Sequence, residues 1–342
     1  MKKWISIILV VCMVFAFAVS AEAKEKVYTV KFATTPAEGD PATIAETAWA
    51  YAMKEYIEKE SDGRLVLEFY PGGQLGGHSE MVTSISSGSL EAGVINLSVM
   101  NSFDGKIMAL QIPGLYSGEE EATAITNSEV AQEIYKDAEA SLNVKLIGVY
   151  CNGFRSFTTK GKTLKTVEDI KGLTIRTMDD PMYVAMVKAL GANPVPMAAT
   201  EMYVAMQNGV VDGHENTIAN VLGDFTYEVQ DYMVLDKHTA SFNAGIVSQQ
   251  FLNSLPEDLQ TILLDGMMVG EKAAYDVSYS VNRNGIDTLV NEHGMTIYEP
   301  TAEELAGWQD LELSATEEYV RGVIGDDVVD VVKAEIENYR AK

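Results

Sequence analysis

Apolar and polar residues alternate with period two over Val27–Ala33 (VYTVKFA), the pattern of a strand with one face buried. From Pro41 the spacing changes. Ala45, Trp49, Ala52, Tyr56 and Ile57 recur at helical intervals and predict a helix that ends near Ser61-Asp62-Gly63. Leu65–Tyr70 reads as a second strand, stopped by Pro71-Gly72-Gly73. Ser79 is placed to cap a helix running to Ser87, and Ala92–Leu97 reads as a buried strand. The alternation continues with a helix over 119–139, strands over 144–150 and 173–176, and helices over 180–190 and 200–208. Such alternation predicts an α/β chain with a mostly parallel sheet.

The C-terminal third has a different rhythm. Glu257 to about Glu292 is helical almost without a break, and Ala302–Tyr339 is helical again with an interruption around Gly322–Asp326. A helix of some 30 residues is about as long as a small domain is wide, so it is expected to run across two lobes. The length of 342 residues also exceeds what one compact core serves. No internal repeat or low-complexity tract interrupts the pattern.

The first segment stands apart from this pattern. Met1-Lys2-Lys3 is a positive start, Trp4–Val19 is a 16-residue uncharged apolar run, and Ala21-Glu22-Ala23 supplies the small residues of a cleavage site. This is the layout of a secretory signal over residues 1–23, cut after Ala23; a spanning helix needs about 20 apolar residues. Val11 before Cys12 is branched where a lipoprotein site wants a small residue. The remaining chain is expected in the periplasm or outside the cell. Cys151 is then its single cysteine, so no internal disulfide is available and the thiol is expected in the core.

Charge narrows the function. The chain has 25 Lys and Arg against 50 Asp and Glu, a net charge of −25. Loss of residues 1–23 removes two Lys and one Glu and makes it −26. Neither nucleic acid nor an anionic membrane surface suits such a field. The apolar content of 47% excludes a disordered chain.

The search for catalytic chemistry returns little. There is no G-x-S-x-G, H-E-x-x-H, C-x-x-C or G-x-G-x-x-G. His214-Glu215 lacks the second histidine a metal pair needs and reads as polar groups at a strand-to-helix turn. Gly72-Gly73-Gln74-Leu75-Gly76-Gly77 lacks the Lys-Ser/Thr of a phosphate loop and reads as a turn. No metal and no cofactor is therefore expected. Two arginines stand out. Arg155 sits among aromatics in GFRSF, and Arg176 ends the strand GLTIR. A guanidinium at the C-terminal end of a strand faces the crevice where open α/β sheets take ligands, and it can grip a carboxylate with two parallel bonds. A structural ion pair with one of the many acids is the alternative, and spacing does not separate the two.

Five blocks, Tyr70–Gly76 (YPGGQLG), Val167–Arg176 (VEDIKGLTIR), Leu190–Met197 (LGANPVPM), Thr200–Met206 (TEMYVAM) and Gly209–Asn216 (GVVDGHEN), together resemble the solute-binding proteins of TRAP transporters, the C4-dicarboxylate-binding (DctP) type. The resemblance covers nearly the whole mature chain. It implies a two-lobed periplasmic binding protein fold with a ligand cleft between the lobes and a long lobe-spanning helix. The lobes it implies are 24–153 plus about 242–282, and 154–241 plus about 283–342. It implies a non-enzymatic receptor, expected as a monomer, that closes on a small organic acid and delivers it to small and large integral membrane subunits. An exported carboxylate-processing enzyme or a ligand sensor on the same fold is the alternative.

The resemblance also assigns site residues. Arg176 corresponds to the arginine that makes paired bonds to the substrate carboxylate, Arg155 to a second carboxylate contact, and Asn216 to an asparagine beside them. Ala199 stands where sialic-acid binders carry an aromatic, Gly77 and His78 where they carry an acid, and Asn96 and Val99 where they carry an acid and an arginine. Sialic acid is therefore disfavoured. Tyr183 or Phe154 would leave room for an aromatic or branched acid. Thr34, Thr35 and Glu38, after the first strand, are expected to face the ligand; His238, Phe242 and Asn243, on a returning segment, are further candidates, with a core or hinge role as the equal alternative.

Overall fold

The computed structural model describes residues 26–342. The signal reading of residues 1–23 and the exclusion of Cys12 lie outside them. In chain order the elements are β1 Tyr28–Ala33, α1 Ala45–Glu60, β2 Leu65–Tyr70, α2 His78–Ser86, β3 Ala92–Asn96, α3 Glu119–Thr126, α4 Glu129–Leu142 and β4 Val144–Thr159. There follow β5 Thr174–Thr177, α5 Pro181–Ala189, β6 Asn193–Pro196, α6 Ala199–Gln207, β7 Gly213–Asn216, α7 Ile218–Gly223, β8 Tyr232–Val234 and β9 Thr239–Ser248. The chain ends with α8 Gln249–Ser254, α9 Glu257–Asn291, β10 Thr296–Tyr298, α10 Ala302–Ile324 and α11 Asp326–Arg340.

Several boundaries depart from the sequence pattern for local reasons. The helix expected from Pro41 begins at Ala45, because the Asp40 carbonyl accepts from the N–H groups of Thr43 and Ile44 and closes a turn first. α2 starts at His78 and not after Ser79; the Glu80 carboxylate accepts from the Gly77 N–H at 2.8 Å and takes the capping role. The single helix expected over 119–139 is two, broken where Ser128 caps α4 through the Ala131 N–H.

The strands run in the order β2-β1-β3-β9-β4-β7-β5-β6, with β8 beside β4 and β10 beside β8. β1 pairs β2 and β3 in parallel, and β5 pairs β6 and β7 in parallel. β4 and β9 are long antiparallel strands shared by both halves. β4 changes register between Ile147 and Tyr150 and between Cys151 and Phe154. Gly148 and Gly153 stand at those bulges with φ of +67° and +101°, a backbone that a side chain would strain.

α9 has 35 residues and is about 52 Å long at 1.5 Å per residue. Its first half packs on α1: a Cβ at Gly270 would meet Trp49 at 2.2 Å, and one at Gly266 would meet Ile57 at 2.3 Å. Its second half packs on α7, where Gly285 lies against Ile218 and Leu222. The lobe-spanning helix anticipated from the 257–292 pattern is therefore present. α10 packs on α5 beside the second half of the sheet. α11 turns back onto α3 and α4, and Arg340 grips Glu121 through two bonds of 2.7 and 2.9 Å. Residues 326–340 thus pack with the first half, unlike the grouping drawn from sequence. Among the described residues no helix is long and apolar enough to cross a membrane.

Candidate functional site

Arg155 follows the Gly153 bulge of β4, Arg176 is third in the short strand β5, and Asn216 ends β7. The pairing of β4 with β7 sets Ser156 opposite Asn216, and that of β5 with β7 sets Arg176 opposite His214. Strand ends are thus gathered at one crevice. The cavity there is small, about 30 Å³, space for roughly two water centres. It shares His78, Arg176, Met178 and Ala199 with a wider pocket of about 430 Å³.

Seven of the anticipated residues line the cavity: Arg176, Arg155, Asn216, Thr35, His78, Asn96 and Ala199. Asn243, a further candidate, joins them. Two do not. Glu38 is exposed and accepts a bond from the Tyr51 hydroxyl. His238 is buried behind the cavity, its Nδ1 2.5 Å from Asp236 and its Nε2 3.3 Å from Glu215. Phe242 is a core residue, packed edge-on against Tyr116. Tyr183 belongs to the apolar core, half-buried Phe154 packs against it, and neither lines the cavity.

The two arginines have different partners. Arg155, 1% exposed, directs its fork at Glu215: Nε to one carboxylate oxygen, Nη2 to the other at 3.0 Å, and Nη2 to the Glu215 carbonyl at 2.6 Å. For Arg155 the ion-pair alternative holds, although its guanidinium still borders the cavity. Burial opposes the Glu215 charge, but Arg155 and His238 outweigh it and hold the carboxyl at about 2. Burial likewise opposes charge on His238, yet Asp236 and Glu215 push it up to about 10. Glu312 of α10 lies beside Asp236, and burial, reinforced by Asp236, drives its carboxyl well up.

Arg176, 2% exposed, donates Nε and Nη2 to the Met197 carbonyl at 3.1 and 2.7 Å and has no carboxylate within ion-pair distance among the described residues. Burial presses it down to about 10; Glu215 supports its charge and Arg155 opposes it. An unpaired buried cation is costly, so this site is poised for an anion. Asn216 is poised likewise. Its Oδ1 accepts from Thr217 N–H and Asn220 Nδ2, which leaves its own Nδ2 free to donate. His78 is a neutral imidazole, held at about 4 by burial and by Arg176 and Arg155. Its Nδ1 accepts from the Asn96 N–H at 3.4 Å, so Nε2 carries the proton toward Thr35 Oγ1 at 3.1 Å. Cys151 is a buried free thiol, pushed up by burial.

The cavity is covered by contacts between the two halves. Asn101 Nδ2 donates to Asp180 Oδ2 at 2.8 Å, and the turn at Gly73 lies so close to α6 that a Cβ there would meet Thr200 at 2.5 Å. Among the described residues, the group compact enough for a metal is Asp236, His238 and Glu312. Both imidazole nitrogens there already face carboxylates.

A family model described as bacterial extracellular solute-binding protein, family 7 (DctP), matches residues 32–321. The chain belongs to this family. It is 26% identical over 320 residues to the C4-dicarboxylate-binding periplasmic protein DctP of Rhodobacter capsulatus, covering 93% of this chain and 94% of that one. Its fold matches the sugar acid binding protein of Advenella mimigardefordensis, solved in complex with galactonate, with a TM-score of 0.85, 23% identity and coverage of 92% and 99%. It matches a TRAP periplasmic solute-binding protein of Sulfurospirillum deleyianum, solved with bound succinate, with a TM-score of 0.83, 23% identity and coverage of 90% and 99%. The resemblance read from the five sequence blocks and the two-lobed fold class are borne out.

Family membership did not by itself reveal every cavity residue. Glu46, Asn220 and Asp224 also line it, and Glu215 neutralises Arg155. Glu215 stands in the GHEN block already singled out, where the adjoining acid was a usable signal. Glu46 and Asp224 carry no local signal, because each lies in an ordinary helix-terminal context.

Proposed function

We propose that this chain is the exported receptor of a TRAP-type transporter, and that it captures a small organic acid by its carboxylate between two lobes. Arg176 supplies the paired contact and Asn216 Nδ2 a further donor, with Arg155 contributing from its Glu215-bound position. The lobes are those expected from sequence, with α11 strapped back onto the first. With the lobes apart the guanidinium of Arg176 is hydrated; with them together water is expelled and the arginine–carboxylate attraction strengthens in the lower dielectric. The ligand stabilises the closed form by its differential affinity for it. The liganded receptor then docks on the small and large membrane subunits. The acid leaves chemically unchanged, and the mature chain begins at Lys24 in the periplasm.

One observation carries this reading: Arg176 is a buried cation that borders the cavity and, among the described residues, has no carboxylate within ion-pair distance. A thermal-shift screen of organic acids, followed by calorimetry on the hits, tests it. At least one acid is expected to raise the melting temperature and to be recovered intact, with affinity that collapses in Arg176→Ala. Stabilisation by no acid, or unaltered affinity in that variant, overturns the assignment. Mass spectrometry of the exported protein checks the Lys24 terminus.

A further inference from the structure

The cavity holds two acids that the carboxylate contact does not use. Glu46 reaches it from the first turn of α1, and Asp224 from the residue that closes α7. The Glu46 carboxylate accepts from Asn243 Nδ2 at 2.9 Å and is also supported by its own backbone N–H, whereas neither oxygen of Asp224 has a protein donor among the described residues. Neither pairs with an arginine. Burial raises Glu46 to about 7, reinforced by the charge of Asp224, and burial raises Asp224 to about 6 against the attraction of Arg176 and Arg155.

The charges around the cavity can be counted. Arg155 is paired with Glu215, so among the described residues Arg176 is the cavity cation with no carboxylate within ion-pair distance. One cation matches one carboxylate. A second carboxylate would find no unpaired cation, and would lie near the ionised oxygens of these acids, which repel it. The Asp224 oxygens lack donors among the described residues, and a site built with buried acceptors discriminates strongly for a partner that brings them.

Resting on the carboxylate reading above, we propose that the ligand carries one carboxylate, held by Arg176, and hydrogen-bond donors at its other end, hydroxyl or ammonium, which Glu46 and Asp224 accept. Diacids of the same length are rejected. Within a family whose relatives include a C4-dicarboxylate-binding protein, this chain is a monoacid receptor, and Glu46 and Asp224 set that selectivity.

Calorimetry of the mature chain with matched acids tests it. Erythronate against meso-tartrate, and galactonate against galactarate, differ only in a terminal hydroxymethyl or carboxylate; 4-aminobutanoate against succinate supplies the ammonium arm. In at least one pair the monoacid is expected to bind tenfold or more tightly than the diacid, and the pair that does so tells hydroxyl from ammonium. Asp224→Asn, with Glu46→Gln as a second variant, should bring that ratio to within threefold. If in every pair that binds the diacid binds as well as its partner monoacid, or if the ratio is unmoved by both variants, the inference is overturned and the carboxylate reading stands. If no acid of the panel binds, the carboxylate reading falls and this inference with it.

Discussion

Replacing Arg176 with methionine separates binding from stability. In the wild-type chain the guanidinium is fully buried and pressed from its ordinary 12.5 to about 10, a penalty on its charge of about 3 kcal/mol. Methionine fills similar volume and removes that penalty. It also deprives the Met197 carbonyl of the bonds from Nε and Nη2, at a cost of about 1–3 kcal/mol. The two effects oppose each other, so the unfolding free energy of the ligand-free protein should move by less than about 2 kcal/mol. Binding has no such compensation. Truncating one member of a buried charge pair costs about 3–5 kcal/mol, roughly two to four powers of ten in affinity. Urea denaturation and calorimetric titration of the same two proteins read the two quantities. Affinity within threefold of wild type would refute the reasoning. So would destabilisation well beyond 4 kcal/mol, which would make Arg176 a structural group. Arg176→Lys keeps the charge but not the planar fork, and should lose much of the affinity as well.

Further predictions concern other parts of the molecule. His238 is raised from 6.5 to about 10, so its contribution to stability is fully present below pH 6.5 and is lost as pH rises through 10. Unfolding free energy should therefore fall by on the order of a few kcal/mol between pH 7 and 10, and His238→Gln should flatten that slope in pH-resolved urea titrations. Gly270→Ala puts a Cβ 2.2 Å from Trp49 and should destabilise by about 1–3 kcal/mol, read as a lower urea midpoint. Asn101→Ala removes the bond to Asp180 across the cleft and should weaken binding by about 1 kcal/mol, mainly through faster ligand release in stopped-flow measurements.

Much of the fold was legible because periodicity is a local property. The strand at Val27–Ala33, the 35-residue helix and the break near Gly325 each follow from spacing within a window. The departures came from groups that compete locally with the pattern: the Asp40 carbonyl, the Ser128 hydroxyl and the Glu80 carboxylate decide where helices start. The shift of the first helix start also explains one exchange at the site. With the helix beginning at Ala45, Glu46 falls in its first turn and faces the cavity, while Glu38 is left in the exposed segment before it.

The sequence by itself determined the element types, the family, the acidic surface and the two scarce arginines at strand positions. Tertiary structure alone decided which of those arginines is free. Arg155 and Glu215 are 60 residues apart and meet because β4 and β7 pair in one antiparallel register, which sets Phe157 against Glu215. Arg176 lies on β5, whose register places it against the neutral His214 instead. Both are arginines in β-strands, and no spacing rule tells them apart. The difference is whether an acid lies within reach across the neighbouring strand, diagonally in the case of Arg155 and Glu215, a long-range property that determines which charge is already paired and which one waits for the ligand.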